Sequence, residues 1–152
     1  MSDQPEKIAA EKPTNYKAAC AAFLKAQAEF QPIQFDKENP HFHSKYASLQ
    51  AILAATRPVL NKNGIALTTR TRVQGETIVV ETYLIHDGVA FVRAAWPAGK
   101  TTTPPQQLGS ALTYARRYTL QSVLGVAADE DDDANAATPT QKQEKPINGY
   151  TF

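Results

Sequence analysis

The sequence predicts an α+β domain, an antiparallel three-stranded meander packed by helices, in the order α-α-β-β-β-α. Three runs of strand-like composition follow one another closely, at residues 65–74, 77–86 and 89–96. Glycine-containing turns separate the runs, and Asp87-Gly88 before the third run is a strong hairpin signal. Segments of good helix formers, with apolar residues at helical spacing, stand on both sides of the three runs.

Three helices are predicted around these strands. The first covers residues 16–30, the second residues 46–61 and the third residues 105–124. Proline follows the first segment, and glycine follows each of the other two. Both residue types end helices. Residues 31–45 contain two prolines, so we expect this stretch to be irregular.

The predicted strands differ in what their two faces carry. The first alternates apolar residues, among them Val73, with Arg70 and Arg72 on the opposite face. The second is apolar on both faces, which is typical of a central, covered strand. The third carries Arg93 and is expected to stop before Pro97, because proline removes a backbone donor from a sheet.

The charge of the chain is divided unevenly. Residues 1–128 hold 14 Lys/Arg and 9 Asp/Glu, a net charge of +5, whereas residues 129–152 hold 2 and 6, a net charge of −4. We therefore expect a disordered arm at residues 1–13, a basic domain at residues 14–128 and a flexible acidic and polar tail beyond it. A basic domain suits a polyanionic partner, although ordinary charge scatter explains the same numbers equally well.

Several classes of protein are disfavoured by composition. No apolar run approaches the roughly 18 residues of a membrane span. The N-terminal segment is polar, so we expect neither a secretory leader nor a membrane partner. Cys20 is the single cysteine, so an internal disulfide is impossible, and its alanine-rich surroundings predict a small buried residue.

The third predicted helix places tyrosine and arginine together. At about 100° per residue, Tyr114 and Arg117 share the face opposite the one that would pack on the sheet, and Arg116 and Tyr118 flank its borders. Arginine offers a fork of donors to phosphate, and tyrosine offers a ring for base stacking. A surface helix whose arginines form salt bridges fits the same pattern.

Arginines also gather on the predicted sheet. Arg70 and Arg72 lie on one face of the first strand, and Arg93 lies on the third. Like charges side by side on a sheet are unfavourable unless an anion bridges them, which indicates a groove for a polyanion. The alternative is an exposed face with carboxylate partners, for which Glu76 and Glu81 are the nearby candidates.

Three further motifs resemble metal or nucleotide sites in composition. The histidines near Lys45 and Tyr46 lack enough companions for a zinc site, so this pair is better explained as a phosphate and stacking contact at a helix entrance. Gly99-Lys100-Thr101 lacks the spacing and the following helix of a phosphate-binding loop. The acidic run at residues 129–133 consists of consecutive residues in an expected tail, where carboxylates do not converge on a metal.

Three segments together resemble the ERF family, the essential-recombination-function annealing proteins of phages and prophages. They are NPHFHSKYA at residues 39–47, GSALTYARRY at residues 109–118 and DEDDD at residues 129–133. Two positions depart from the family pattern, because His43 replaces an expected lysine and Ala134 an expected glycine. The first departure weakens one expected phosphate contact.

The resemblance implies single-stranded DNA binding and ATP-independent annealing of complementary strands in phage homologous recombination and repair, without bond-breaking chemistry, cofactor or metal. It implies a β-β-β-α core similar to that of ring-forming annealing proteins. Homo-oligomeric rings or helical filaments in the host bacterial cytoplasm follow from the same resemblance. The acidic tail is a candidate contact for a host single-strand binding protein.

On this interpretation the positive and aromatic side chains converge in one trench that holds DNA. The residues expected to bind DNA are Lys45, Tyr46, Arg70, Arg72, Arg93, Lys100, Tyr114, Arg116, Arg117 and Tyr118. Three alternatives remain open: a single-strand binding module that does not anneal, a metal-dependent nuclease that uses the acidic run, and a structural oligomer whose arginines serve subunit contacts.

Overall fold

A computed structural model of the chain describes residues 15–40 and 43–129. In chain order the elements are α1 (Tyr16–Ala28), β1 (Lys37–Glu38), β2 (Lys45–Tyr46), α2 (Leu49–Lys62), β3 (Ile65–Gln74), β4 (Thr77–His86), β5 (Val89–Lys100) and α3 (Pro105–Leu124). The last three strands form an antiparallel sheet in the order β3-β4-β5, so the predicted α+β meander is confirmed. Among the described helices, none is long and apolar enough to cross a membrane.

Helices cover one face of this sheet. Alternate residues of the central strand β4 point toward α3, and Val80, Thr82 and Leu84 are buried there. The hydroxyl groups of Thr82 and Thr119 lie 2.7 Å apart and share a hydrogen bond between β4 and α3. Leu84 and Leu120 belong to the main apolar cluster, so the core lies between the sheet and the helices.

Helix α1 packs on the same side of the sheet through the apolar stripe that the sequence predicts. Ala19 and Ala26 are buried, and the ring of Phe23 meets the ring of Phe91 edge to face, with centroids 6.0 Å apart. The prediction for Cys20 was wrong, because this residue is exposed. One residue beyond Ala19 means a turn of about 100°, which carries the side chain off the buried stripe.

Strand β5 is longer than predicted. It continues through Pro97 to Lys100, and Pro97 lies opposite Val79 of β4. Because β5 is an edge strand, the missing N–H of proline can face away from the partner strand. A shift of register next to Val79 then brings Gly99 opposite Ile78, and the strand ends only at Lys100.

The stretch between the first two helices is also more ordered than predicted. Strands β1 and β2 form a small antiparallel hairpin, with Lys37 opposite Tyr46. Helix α2 begins at Leu49 rather than at Tyr46, because Ser48 is its N-cap and accepts a hydrogen bond of 3.1 Å from the N–H of Ala51. Helix α1 ends at Ala28, two residues earlier than expected.

The predicted arm at residues 1–13 and most of the predicted tail, residues 130–152, lie outside the described residues. Asp129, the first acidic residue after α3, is described. It forms an isolated antiparallel bridge with Tyr46, and the N–H of Ala47 donates a 2.8 Å hydrogen bond to the carbonyl of Ala128. The chain after α3 is therefore held against the small hairpin as far as Asp129.

Candidate nucleic-acid interface

The residues predicted to bind DNA fall on two opposite sides of the sheet. Arg70 lies opposite Glu81, and Arg93 lies opposite Tyr83 in the strand register. Because side chains alternate along a strand, this set points away from Thr82, which faces α3. The predicted tyrosines and the other arginines belong to α3 and the small hairpin, so the structure does not bring the cations together in one trench.

We call the side of the sheet turned away from α3 the open face, and its polar centre is a buried carboxylate. Arg70 Nε donates to Glu81 Oε2 at 2.8 Å, and the Tyr83 hydroxyl donates to the same oxygen at 2.8 Å. Arg72 Nε lies 3.1 Å from Glu81 Oε1. Two of the three arginines on the open face are therefore tied to one carboxylate, as the salt-bridge alternative supposed.

This carboxylate stays ionised to low pH. Hydrogen bonds from Arg70 and then Tyr83 lower the pKa of Glu81 to about 2, against the opposing effect of its burial. Arg70 also lies over the Tyr83 ring, with the guanidinium carbon 5.1 Å from the ring centroid. The open face therefore contains a tight polar cluster that stabilises the sheet, beside an exposed Arg93 that has no ion pair with any described residue.

The other side carries a row of three aromatic rings, which we call the aromatic ledge: Trp96, Tyr118 and Tyr114. Trp96 of β5 stacks on Tyr118 of α3 at 5.7 Å between centroids, and Tyr118 lies 4.3 Å from Tyr114. The two outer residues remain open to solvent, since Trp96 is 45% and Tyr114 is 51% exposed. Hydrogen bonding to Tyr118, together with burial, raises the pKa of Tyr114 to about 12, so this phenol is neutral at physiological pH.

Arg117 lies behind the aromatic ledge and is largely enclosed by rings. Its guanidinium carbon is 4.3 Å from the centroid of Tyr46, 5.5 Å from that of Tyr118 and 5.7 Å from that of Tyr114. Its side chain is only 12% exposed, and its Nη2 atom lies 2.9 Å from Asp129 Oδ1. Arg117 therefore holds aromatic rings from α3 and β2 in place rather than projecting a free charge into solvent.

Asp129 is fixed from a second direction. The side-chain amide of Gln121 donates a 3.0 Å hydrogen bond to Asp129 Oδ2, and its oxygen accepts one of 3.1 Å from the N–H of Ala128. Gln121 lies one turn after Arg117 on α3, as the helical spacing predicts. Asp129, the first residue of the acidic run, therefore bonds to both Arg117 and Gln121 of α3.

A cleft of about 430 Å³ separates the small hairpin from α3, next to the aromatic ledge. We call it the α3 cleft, and its walls include Lys37, Tyr46, Ser48, Thr113, Tyr114 and Arg117. Ser48, the N-cap of α2, also bonds to Asp36. The Asp36 carboxylate accepts hydrogen bonds of 2.6 Å from the Ser48 N–H and 2.7 Å from the Ser48 hydroxyl. These two bonds lower the pKa of Asp36.

The remaining predicted cations lie apart from one another. Lys45 is exposed on β2 opposite Glu38, and because it alternates with Tyr46 it points to the face of the small hairpin turned away from the α3 cleft. Lys100 ends β5 opposite Thr77. Arg116 is exposed on α3, but it is two residues from Tyr118 and so lies about 160° around the helix from the aromatic ledge. Of the residues predicted to bind DNA, the structure therefore brings together only Tyr46, Tyr114, Arg117 and Tyr118.

Lys37, Ser48 and Thr113 line the α3 cleft but were missed as site residues. Lys37 belongs to the small hairpin, and Ser48 follows it. The strands of this hairpin have two residues each, which is too short to show any periodicity in the sequence. Thr113 stands inside the GSALTYARRY motif, so its place beside Tyr114 was the one available signal.

No group of three or more metal-ligating side chains occurs among residues 15–40 and 43–129. His43 has a left-handed backbone, with φ at 54°, and its Nδ1 lies 3.1 Å from Glu38 Oε1 across the small hairpin. Gly99 and Lys100 belong to strand β5, and α3 begins only at Pro105. No helix N-terminus therefore follows these residues directly to hold a phosphate.

Comparison with known proteins gives one match. A family model described as the ERF superfamily matches residues 20–151, from within α1 to beyond α3. The match includes every residue of the aromatic ledge and of the α3 cleft. No curated protein matches the chain, and no solved structure matches it.

Proposed function

Because this chain belongs to the ERF superfamily, we propose that it binds single-stranded DNA and anneals complementary strands without ATP. Membership in this family supports a general role in phage recombination and annealing, and the family is not known for bond-breaking chemistry. The observation that carries the finer proposal is the aromatic ledge, backed by Arg117.

The aromatic ledge has the chemistry of a base-stacking surface. Contiguous apolar surface on a folded domain marks interaction sites, and the three rings of the aromatic ledge are contiguous. Each base stacked on an aromatic side chain contributes roughly 1–3 kcal/mol, and the interaction tolerates any sequence because every base has a π face. Trp96 and Tyr114, at the two ends of the row, offer such surfaces to successive bases of one strand.

Annealing is then promoted because the protein holds the bound strand in an ordered conformation. A strand whose bases stack on protein rings is held extended, and its ordering has been accomplished before the complementary strand arrives. Pairing needs no nucleotide hydrolysis, because base pairing itself supplies the driving force. Lys37, exposed beside the α3 cleft, is placed to neutralise a phosphate of such a strand.

We assign the arginines of the open face a smaller part in binding. Arg70 and Arg72 share Glu81, so much of their charge is already balanced. Arg93, Lys100 and Arg116 are exposed and form no ion pair with any residue that the structure describes. These three provide long-range attraction for a polyanion, whereas the aromatic ledge provides the contacts to bases.

We further propose that copies of the chain assemble into a homo-oligomeric ring or helical filament, so that neighbouring ledges form a continuous track. Electron microscopy of the protein with and without complementary oligonucleotides tests this directly. Particles that remain monomeric in both conditions would contradict it.

The decisive experiment for function mixes two complementary labelled strands with the protein, with and without ATP and Mg²⁺. We expect faster duplex formation under all four conditions, with strand lengths unchanged. Shortened strands in Mg²⁺ would instead identify a nuclease, and binding without faster pairing would identify a protective binding module. Absence of any oligonucleotide binding would leave only the structural oligomer.

Oligonucleotide binding should also weaken steeply with salt, because each neutralised phosphate releases counterion on binding. Affinity that is the same at low and moderate salt would contradict the proposal.

The acidic segment after Asp129 is proposed as the contact for a host single-strand binding protein. Truncation after Asp129 keeps the Arg117 ion pair and removes the other acidic residues of the run. Unchanged DNA affinity and unchanged partner binding in this variant would show that the segment takes no part in either.

A further inference from the structure

We propose that the α3 cleft binds a single unstacked base of the DNA strand, held apart from the bases that stack on the aromatic ledge. This inference deepens the proposed function and rests on it, because the base comes from a strand already bound to the same side of the protein. The expected ligand is one nucleotide within single-stranded DNA, with its base inside the cleft and its phosphate at the rim.

The α3 cleft is large enough to hold one base. Its volume of about 430 Å³ falls within the roughly 300–1,000 Å³ of sites that enclose small organic ligands. Tyr46 of the small hairpin and Tyr114 of α3 both contribute to its walls. Tyr114 also ends the aromatic ledge, so a strand that leaves the ledge reaches the cleft without a gap.

The charges of the cleft favour a neutral base at its inner end. Arg117 forms the inner wall, but Asp129 already balances its charge at 2.9 Å. A phosphate placed there would meet the Asp129 carboxylate, whereas a base brings no charge. Lys37 is exposed at the outer wall, where it can neutralise the phosphate of the same nucleotide.

Two nearby groups keep the cleft suited to a nucleotide. Asp36 accepts hydrogen bonds from the N–H and the hydroxyl of Ser48, so its charge is turned toward the start of α2. The Thr113 hydroxyl donates to the Gly109 carbonyl at 3.1 Å, which leaves its oxygen lone pairs as acceptors. Every DNA base carries an N–H on its pairing edge that can donate to such an oxygen.

The test fills the cleft without removing a positive charge. Thr113→Phe places a ring in the α3 cleft, and Ser122→Phe is its matched control at an exposed position farther along α3. The two parent hydroxyls make the same kind of bond, since Thr113 donates to Gly109 and Ser122 donates to Tyr118, four residues earlier in each case. Circular dichroism and melting curves confirm that both variants are folded.

The probe is an oligothymidylate that contains 5-iodo-2′-deoxyuridine, which crosslinks to nearby aromatic side chains on irradiation. We expect wild-type protein to crosslink at Tyr46, and Thr113→Phe to lose this crosslink together with about tenfold of its affinity. Ser122→Phe should behave as wild type in both measurements. Tyr46 is the informative residue, because it lines the cleft and does not belong to the aromatic ledge.

The outcomes separate the inference from the proposed function. Wild-type affinity in Thr113→Phe, with crosslinks at Trp96 and none at Tyr46, would overturn the cleft as a base site and leave the aromatic ledge as the DNA contact. Failure of the wild-type protein to bind the oligonucleotide at all would overturn the proposed function itself.

Discussion

The two sides of the sheet both gather arginines, but they present different chemistry to a partner. On the open face, Arg70 and Arg72 lie over a single buried carboxylate, and no row of stacked rings accompanies them in the described structure. On the α3 side, Arg117 is enclosed by tyrosine rings and paired with Asp129, and the exposed surface is aromatic. Counting arginines therefore does not identify the binding side, because it is the unpaired exposed groups that meet a ligand.

The largest expected effect comes from removing the ends of the aromatic ledge. The double substitution Trp96→Ala and Tyr114→Ala should lower affinity for single-stranded DNA by about a hundredfold, because two stacking surfaces of roughly 1–3 kcal/mol each are lost. Fluorescence anisotropy with a labelled oligonucleotide measures this. Leu24→Ala, which truncates another exposed apolar side chain on α1, is the control and should have no effect. If the double variant binds the oligonucleotide as tightly as the wild type, the DNA site does not lie on the α3 side of the sheet.

Glu81→Gln tests the open face. It leaves Arg70 and Arg72 without a negative partner, so we expect a clearly lower melting temperature, with DNA affinity reduced far less than by loss of the aromatic ledge. Scanning calorimetry and oligonucleotide binding on the same samples measure the two effects. A large loss of DNA affinity at unchanged melting temperature would instead assign the open face to the DNA site.

The pH dependence of stability gives a second measure of this cluster. The pKa of Glu81 is lowered in the folded protein to about 2 from an ordinary value of 4.5, so its stabilising contribution is full above pH 4.5. The contribution is lost as the pH falls from 4.5 toward 2. Melting temperatures of the wild type should therefore fall more steeply over this range than those of Glu81→Gln. Parallel curves would show that Glu81 is not stabilised by its partners.

A smaller effect should distinguish the cations of the two sides. For single strands, each lost phosphate contact reduces the slope of log K against log salt by about 0.7. We expect Lys37→Gln, beside the α3 cleft, to reduce the slope by about this amount. Arg70→Gln, which removes a charge already paired with Glu81, should reduce it less. The reverse order would place the phosphate path on the open face.

The smallest effect concerns the partner of Arg117. Asp129→Asn removes the charge of an ion pair at the edge of the domain, which should lower the free energy of unfolding by about 1 kcal/mol in urea denaturation. Glu76→Gln, in the turn between β3 and β4, is the charge-matched control and should leave stability unchanged. Equal stabilities of both variants would mean that Asp129 contributes nothing to holding Arg117.

The meander and the last helix could be predicted closely from the chain. Strands β3 and β4 and helix α3 have the same bounds as the sequence pattern predicts, because they are long, periodic and separated by glycine turns. The small hairpin was missed because two residues show no period. The extension of β5 was missed because Pro97 suggests a stop, and only the strand order makes it an edge position.

The candidate site was predictable in its residue types but not in its grouping. The spacing on α3 correctly placed Tyr114 and Arg117 on one face, where both line the α3 cleft. The sequence offered Glu76 and Glu81 as candidate partners for the sheet arginines, but only the strand register places Glu81 directly opposite Arg70. Asp129 seemed part of an unstructured run, and its contact with Arg117 depends on how the chain turns after α3.

Sequence alone determined the meander, the amphipathic α3 and the family, because local periodicity, turn residues and short motifs depend on neighbours within a few positions. Tertiary structure alone decided which arginines are neutralised, which rings stack into the aromatic ledge and where the α3 cleft opens. The physical reason is that pairing, stacking and enclosure depend on distances between residues that are far apart in the chain, and those distances exist only once the sheet, the hairpin and the helix have packed together.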